Sequence, residues 1–160
     1  MKLKCRKGDI FRMNLLEDCF GYGQIVELDG KTTITVVIYK KKYLNEHNSI
    51  KEILNDEVLF FCNTFKIFFE LKRWVIINNN IDSLNKIVLP YYLIGLPRIV
   101  EDYFKKPVRI ASKEDLINLD TRGYVAPINI VNAFLDYHNI IKSETNYDDL
   151  YYDNVLKSRK

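Results

Sequence analysis

"KGDIFRMNLLEDCFGYGQIVELDG", residues 7–30, decides how the chain is to be read. Ile10, Arg12 and Asn14 alternate with Phe11, Met13 and Leu15, the period of two that sends successive side chains to opposite faces of a strand. The acidic break "LEDC" reads as a polar hairpin, and a second run follows from Phe20 to Leu28. Asp29-Gly30 marks another hairpin, because glycine tolerates the positive φ that such turns demand. Thr32 to Tyr39 is almost entirely β-branched, which favours a third strand. The residues thus predict an antiparallel meander from Gly8 to Tyr39. Gly21-Tyr22-Gly23 poses a choice between a ligand-holding loop and a strand packed at close quarters. The third glycine and following helix of the phosphate-cradling fingerprints are missing, so the pair reads as a bulge or a close backbone approach.

Working outward, Ser49 followed three residues later by Glu52 is a capping-box signature for a short helix through Leu54. The stretch "EVLFFCNTFKIFFELKRWVIINNN", residues 57–80, holds near-continuous apolar runs. It reads as two or three more strands ending at Asn78, with "CNT" and "LKR" as turns and a buried helix over Thr64 to Leu71 as the alternative. Pro90, Pro97 and Pro107 favour short extended pieces, such as Arg98 to Phe104 and Val108 to Ala111, over a long helix. "SKEDLINL" predicts a helical turn capped by Ser112, with Asp115 at the third position. Pro127 suits a helix start, and Ile128, Val131, Leu135 and His138 follow with helical spacing. Residues 142–160 read as a polar tail with a last helix at Asp148 to Leu156. No repeat or linker interrupts the chain. The expectation is a single α+β domain over residues 1–160: a twisted antiparallel sheet or partly closed β-barrel in the N-terminal half, with a C-terminal helix packed on it.

Composition narrows the function classes. A chain of 160 residues with 48% hydrophobic and 28% charged residues suits one globular unit, and 11 Tyr and 9 Phe supply a core that needs no metal or disulfide. With 24 basic against 21 acidic residues, the net charge of +3 gives no support to nucleic-acid binding. The start "MKLKCRKGDIF" has no apolar h-region and no later segment reaches ~18 consecutive apolar residues, so the expectation is a cytoplasmic protein without a membrane partner. Cys5, Cys19 and Cys62 read as packed free thiols, and Trp74 as a core aromatic. His47, in a polar loop, and His138, as a cation at a helix end, read as surface residues. The pairs Glu17-Asp18, Asp56-Glu57, Glu101-Asp102 and Glu114-Asp115 are adjacent in sequence and point in different directions. With no nucleophile motif beside them, the chain reads as no enzyme, with no cofactor and no bound metal. Oligomeric state is not encoded in any of these features.

Gly8-Asp9-Ile10-Phe11 leading into a strand, a short charged turn, and Phe20-Gly21-Tyr22-Gly23 on the return strand, followed later by "RWVIINNN" and "LP", resemble the Immunity protein 26 family of bacterial polymorphic-toxin systems. Gly8 to Val26 carries the likeness best, with Arg73 to Pro90 in support. Asn14 stands after Met13 where such proteins usually show Pro soon after Met or Ile. The resemblance implies a scaffold that neutralises a cognate toxin by binding it, as in contact-dependent inhibition, rather than by chemistry.

A nuclease toxin must present a basic face to nucleic acid. Glu144 to Asp153, "ETNYDDLYYD", holds four carboxylates and three tyrosines with no basic residue. Glu144, Asp148, Asp149 and Asp153 would meet such a face and steer association, while Tyr147, Tyr151 and Tyr152 would add contact area. The plainer reading is a solvated tail helix whose tyrosines pack on the domain. The loops around Glu17-Asp18 and Lys40 to Asn48 are the next candidates. Two other classes stand beside this one. A small β-rich nucleic-acid-binding module would use Lys40 to Lys42 with Tyr39 and Tyr43 as a cation-plus-stacking strip. An enzyme would need carboxylates or histidines gathered only by the fold.

Overall fold

The computed structural model describes residues 4–16, 19–47 and 49–159; the charged turn at Glu17-Asp18 lies outside them. Strand β1 (Asp9–Leu16) pairs antiparallel with β2 (Cys19–Glu27), and β2 with β3 (Thr33–Tyr39). Gly30, at φ +100°, turns the chain between the last two, as its position after Asp29 predicts. Helix α1 (Ile50–Leu54) begins where the Ser49 hydroxyl accepts the Glu52 N–H. Strand β4 (Val58–Phe65) continues the meander, α2 (Ile67–Glu70) is a single turn, and β5 (Trp74–Asn79) crosses back to pair with the far side of β1. The sheet order is β4-β3-β2-β1-β5.

Two expectations are corrected here. "CNT" is not a turn: Cys62, Asn63 and Thr64 lie inside β4. Strand interiors accept polar side chains when those are satisfied. Thr35 Oγ1 donates to Asn63 Oδ1 at 2.7 Å, and Thr64 Oγ1 donates to the Val125 carbonyl at 2.6 Å. The sheet is also open rather than barrel-like, with β4 and β5 as its two edges. The outer edge of β4 is occupied by chain returning from the C-terminal half: Val125 N–H donates to the Asn63 carbonyl at 2.8 Å, and Phe60 forms an antiparallel bridge with Tyr151. An edge covered in this way offers nothing for β5 to pair with.

A three-stranded sheet follows, from β6 (Tyr92–Ile94), β7 (Ile99–Glu101) and β8 (Pro107–Ile110). Helix α3 (Lys113–Asn118) opens with a full Ser112/Asp115 capping box, and α4 (Pro127–Tyr137) starts at its proline. The helix expected over Asp148 to Leu156 is broken into a 3₁₀ turn (Asp148–Leu150), α5 (Tyr152–Val155) and a second 3₁₀ turn (Leu156–Arg159). The break falls at Tyr151, whose extended backbone (φ −62°, ψ 128°) makes the bridge to Phe60. Sheet pairing there overrides helical spacing.

Both faces of the five-stranded sheet are buried, which gives the fold three layers. Phe11, Met13, Ile25, Val36 and Phe60 pack on one face against Ile130 and Phe134 of α4. Ile10, Tyr22, Val37, Tyr39 and Phe61 pack on the other against Ile53, Tyr92 and Tyr103. Gly21 and Gly23 face the α4 side. A Cβ at Gly21 would lie 2.6 Å from Met13 Cε and 3.1 Å from Phe134 Cζ, and one at Gly23 would lie 2.5 Å from Phe11 Cζ and 2.6 Å from the Val37 carbonyl oxygen. The glycine pair therefore makes room for core side chains and the neighbouring strand.

Candidate functional site

Most residues that could carry chemistry are consumed by the scaffold. Cys5, Cys19 and Cys62 are free and buried, and burial pushes the Cys62 thiol far above its ordinary range, away from the reactive thiolate. Gln24, fully buried, donates from Nε2 to the carbonyls of Gly8 (3.1 Å) and Asn80 (2.7 Å), and its Oε1 accepts from Tyr39 OH at 3.0 Å. Asp9 accepts from the Arg6 N–H and from Asn79 Nδ2. Trp74 sits in the core, stacked on Phe11 with centroids 4.8 Å apart. Among the described residues no three His, Cys, Asp or Glu side chains gather as a metal-ligand set, and no helix there is long and apolar enough to cross a membrane.

His138 differs from its reading as a surface cation. It ends α4 half-buried, with Nε2 2.9 Å from the Lys40 carbonyl oxygen, an acceptor that requires the proton on that nitrogen. Burial lowers its pKa and favours the neutral ring. The strip imagined for nucleic acid is not assembled either. Tyr39 is buried, Tyr43 stacks on the His47 ring at 4.6 Å, and the Lys40 ammonium pairs with Glu57 at 2.7 Å.

The acidic segment is placed differently from all of these. Glu144, Asp148, Asp149 and Asp153 are exposed, and none of them forms an ion pair among the described residues. The tyrosines between them are half-buried anchors. Tyr147 and Tyr151 pack against the α4-side core, Tyr151 with its ring edge-on to Phe60 at 5.1 Å. Tyr152 reaches the opposite core, stacks on Phe61, accepts the Val88 N–H at 2.7 Å and donates to the Val88 carbonyl at 2.9 Å. Leu150 is buried between them. The segment is thus stapled across the edge of β4, with its carboxylates outward on a fixed backbone.

Beside the segment lies a cleft of about 330 Å³, walled by β4, residues 118–125 and the C-terminal pieces. Its walls include Tyr91, Tyr92, Tyr124 and Asp120, which no local pattern in the sequence singles out. They come from different elements and meet only in the folded chain. Asp149 belongs both to this wall and to the acidic segment.

Residues 6–96, more than half of the chain, match the family described as Immunity protein 26. The chain belongs to the Immunity protein 26 family. No curated protein and no solved structure matches it. The span shared with the Immunity protein 26 family holds the whole five-stranded sheet, including Gly8, Asp9, Gly21, Gly23 and Gln24. Those residues act in packing and internal hydrogen bonds. The acidic segment and most of the cleft wall lie outside the Immunity protein 26 span.

Proposed function

We propose that the chain, folded as a single domain over residues 1–160, is an immunity protein that binds a cognate bacterial toxin with nuclease activity in the cytoplasm and neutralises it by contact, without turnover of its own. Membership of the Immunity protein 26 family supports binding to a toxin as its role. One observation carries the choice of surface: Glu144, Asp148, Asp149 and Asp153 stand exposed and without cationic partners among the described residues, on a backbone anchored by Tyr147, Tyr151 and Tyr152. Burying a carboxylate is costly, so an unpaired group on a rigid segment is poised for a basic partner, and the anchoring lowers the entropy lost when that partner docks.

The test is association kinetics with the toxin. Reversing charge at Asp148, Asp149 and Asp153 should slow association roughly tenfold or more at low ionic strength, with a smaller effect at high salt, because long-range attraction is screened within about 10 Å at 0.1 M salt. The far-ultraviolet spectrum should not change. Equal rates for variant and parent at low salt would remove this segment from the recognition surface. Inhibition of a toxin that leaves nucleic acid intact would remove the nuclease assignment while keeping the immunity role.

A further inference from the structure

The geometry points to the cleft beside the acidic segment as a receptor for the guanidinium of one arginine side chain of the toxin. This rests on the proposed toxin-binding role and names the chemistry of its anchor. Four aromatic residues, Phe61, Tyr91, Tyr92 and Tyr124, line the cleft, and among the described residues its only charged lining residues are Asp120 and Asp149. Both carboxylates are exposed and neither forms an ion pair among the described residues. Aromatic faces with carboxylates at their margin attract a cation. They favour arginine over lysine, because the planar guanidinium stacks on rings and binds a carboxylate through two parallel N–H groups.

The same wall already shows this affinity from within. Arg122, between the lining residues Thr121 and Gly123, turns its guanidinium behind the wall, 4.3 Å from the centroid of Tyr92 and 5.0 Å from that of Tyr103. It donates to the Tyr103 carbonyl at 2.6 Å and lies 3.9 Å from Glu101, itself buried. Glu101 thus offsets part of the positive charge of Arg122, which is not itself among the residues that line the cleft. At about 330 Å³ the cleft sits near the lower end of the volumes that hold small ligands, ~300–1,000 Å³. That suits one long side chain with its peptide backbone. Arginine is among the residue types enriched at the few well-packed positions that carry most of the binding energy of protein–protein interfaces.

The experiment needs no toxin. The full chain, labelled with nitrogen-15, is titrated with N-acetyl-argininamide and, separately, with the neutral isostere N-acetyl-citrullinamide. The arginine probe should shift the amides of Leu119 and Gly123 and the side-chain amides of Asn118 and Asn154 in a saturable way. The citrulline probe should require a concentration at least about tenfold higher, and Asp120→Asn with Asp149→Asn should weaken the arginine probe by a similar factor. The amide spectrum of the double variant reports its fold directly. Absence of saturable shifts at the cleft, equal response to the two probes, or indifference of the double variant would each overturn the assignment. Probe binding combined with unaltered toxin association when Asp148 and Asp153 alone are reversed would sink the acidic-segment reading alone. Slowed toxin association without probe binding would sink the arginine receptor alone.

Discussion

Gly23→Ala tests whether the glycine pair exists to admit its neighbours. Neither Gly21 nor Gly23 has a positive φ, so alanine meets no backbone penalty and its cost is spatial. At Gly23 the new Cβ would sit 2.5 Å from Phe11 Cζ, 2.6 Å from the Val37 carbonyl oxygen and 2.9 Å from Ile38 Cδ1. Ordinary contact is near 3.4–4 Å, so the backbone of β3 must retreat by about 1 Å at a point where β2 and β3 are paired. Overpacking a core costs about 1–3 kcal/mol, and a ladder hydrogen bond weakened by the shift adds about 1 kcal/mol, which places Gly23→Ala at about 2–4 kcal/mol. Gly21→Ala is the control. Its closest contact, Met13 Cε at 2.6 Å, is the end of a flexible side chain, and Phe134 begins at 3.1 Å. The relief of chain entropy on replacing glycine offsets part of the clash, leaving about 0–1 kcal/mol. With a urea slope of about 2 kcal/mol/M, the unfolding midpoint should fall by about 1–2 M for Gly23→Ala and by no more than about 0.5 M for Gly21→Ala, at unchanged slope. Equal midpoints for the two variants, or a larger drop at Gly21, would refute the close-approach argument.

Gln24→Leu should cost about 3 kcal/mol in urea unfolding, because the Gly8 and Asn80 carbonyls and the Tyr39 hydroxyl lose a buried partner together; a cost below about 1 kcal/mol would show that water replaces the amide. Burial holds the His138 pKa below the ordinary histidine value of 6.5, so the unfolded chain takes up that proton first. The contribution of His138 is complete above about pH 6.5 and shrinks as pH falls through that value toward the folded pKa. His138→Gln should therefore lose less stability than the parent between about pH 7.5 and 5.5, and equal losses would count against a neutral, half-buried ring. Tyr152→Phe removes both hydrogen bonds to Val88 and should raise the exchange rate of the Val88 amide about tenfold without unfolding the sheet; unchanged exchange would mean the acidic segment is held by packing alone.

Local rules determined more of this protein than its function. Alternation along residues 10–15, the Asp29-Gly30 turn and the β-branched run to Tyr39 were sufficient for the first three strands, and Ser49, Ser112 and Pro127 mark the helix starts seen in the fold. Each of these signals acts within a few residues, through backbone sterics or a capping hydrogen bond. The scaffold role of Gly21 and Gly23 was legible for the same reason. Tertiary structure decided what depends on partners far along the chain. Asn63 and Thr64 look like turn residues until Thr35 and Val125 satisfy them inside β4. The helical spacing after Asp148 yields to a strand bridge because Phe60 offers an unpaired edge. The composition of the acidic segment shows its charge. Only the fold separates its tyrosines, which anchor to two different cores, from its carboxylates, which remain in solvent. Only the fold brings Asp149 beside Asp120 and the tyrosines of the cleft wall, because burial and charge proximity belong to the packed arrangement of elements and to no single segment.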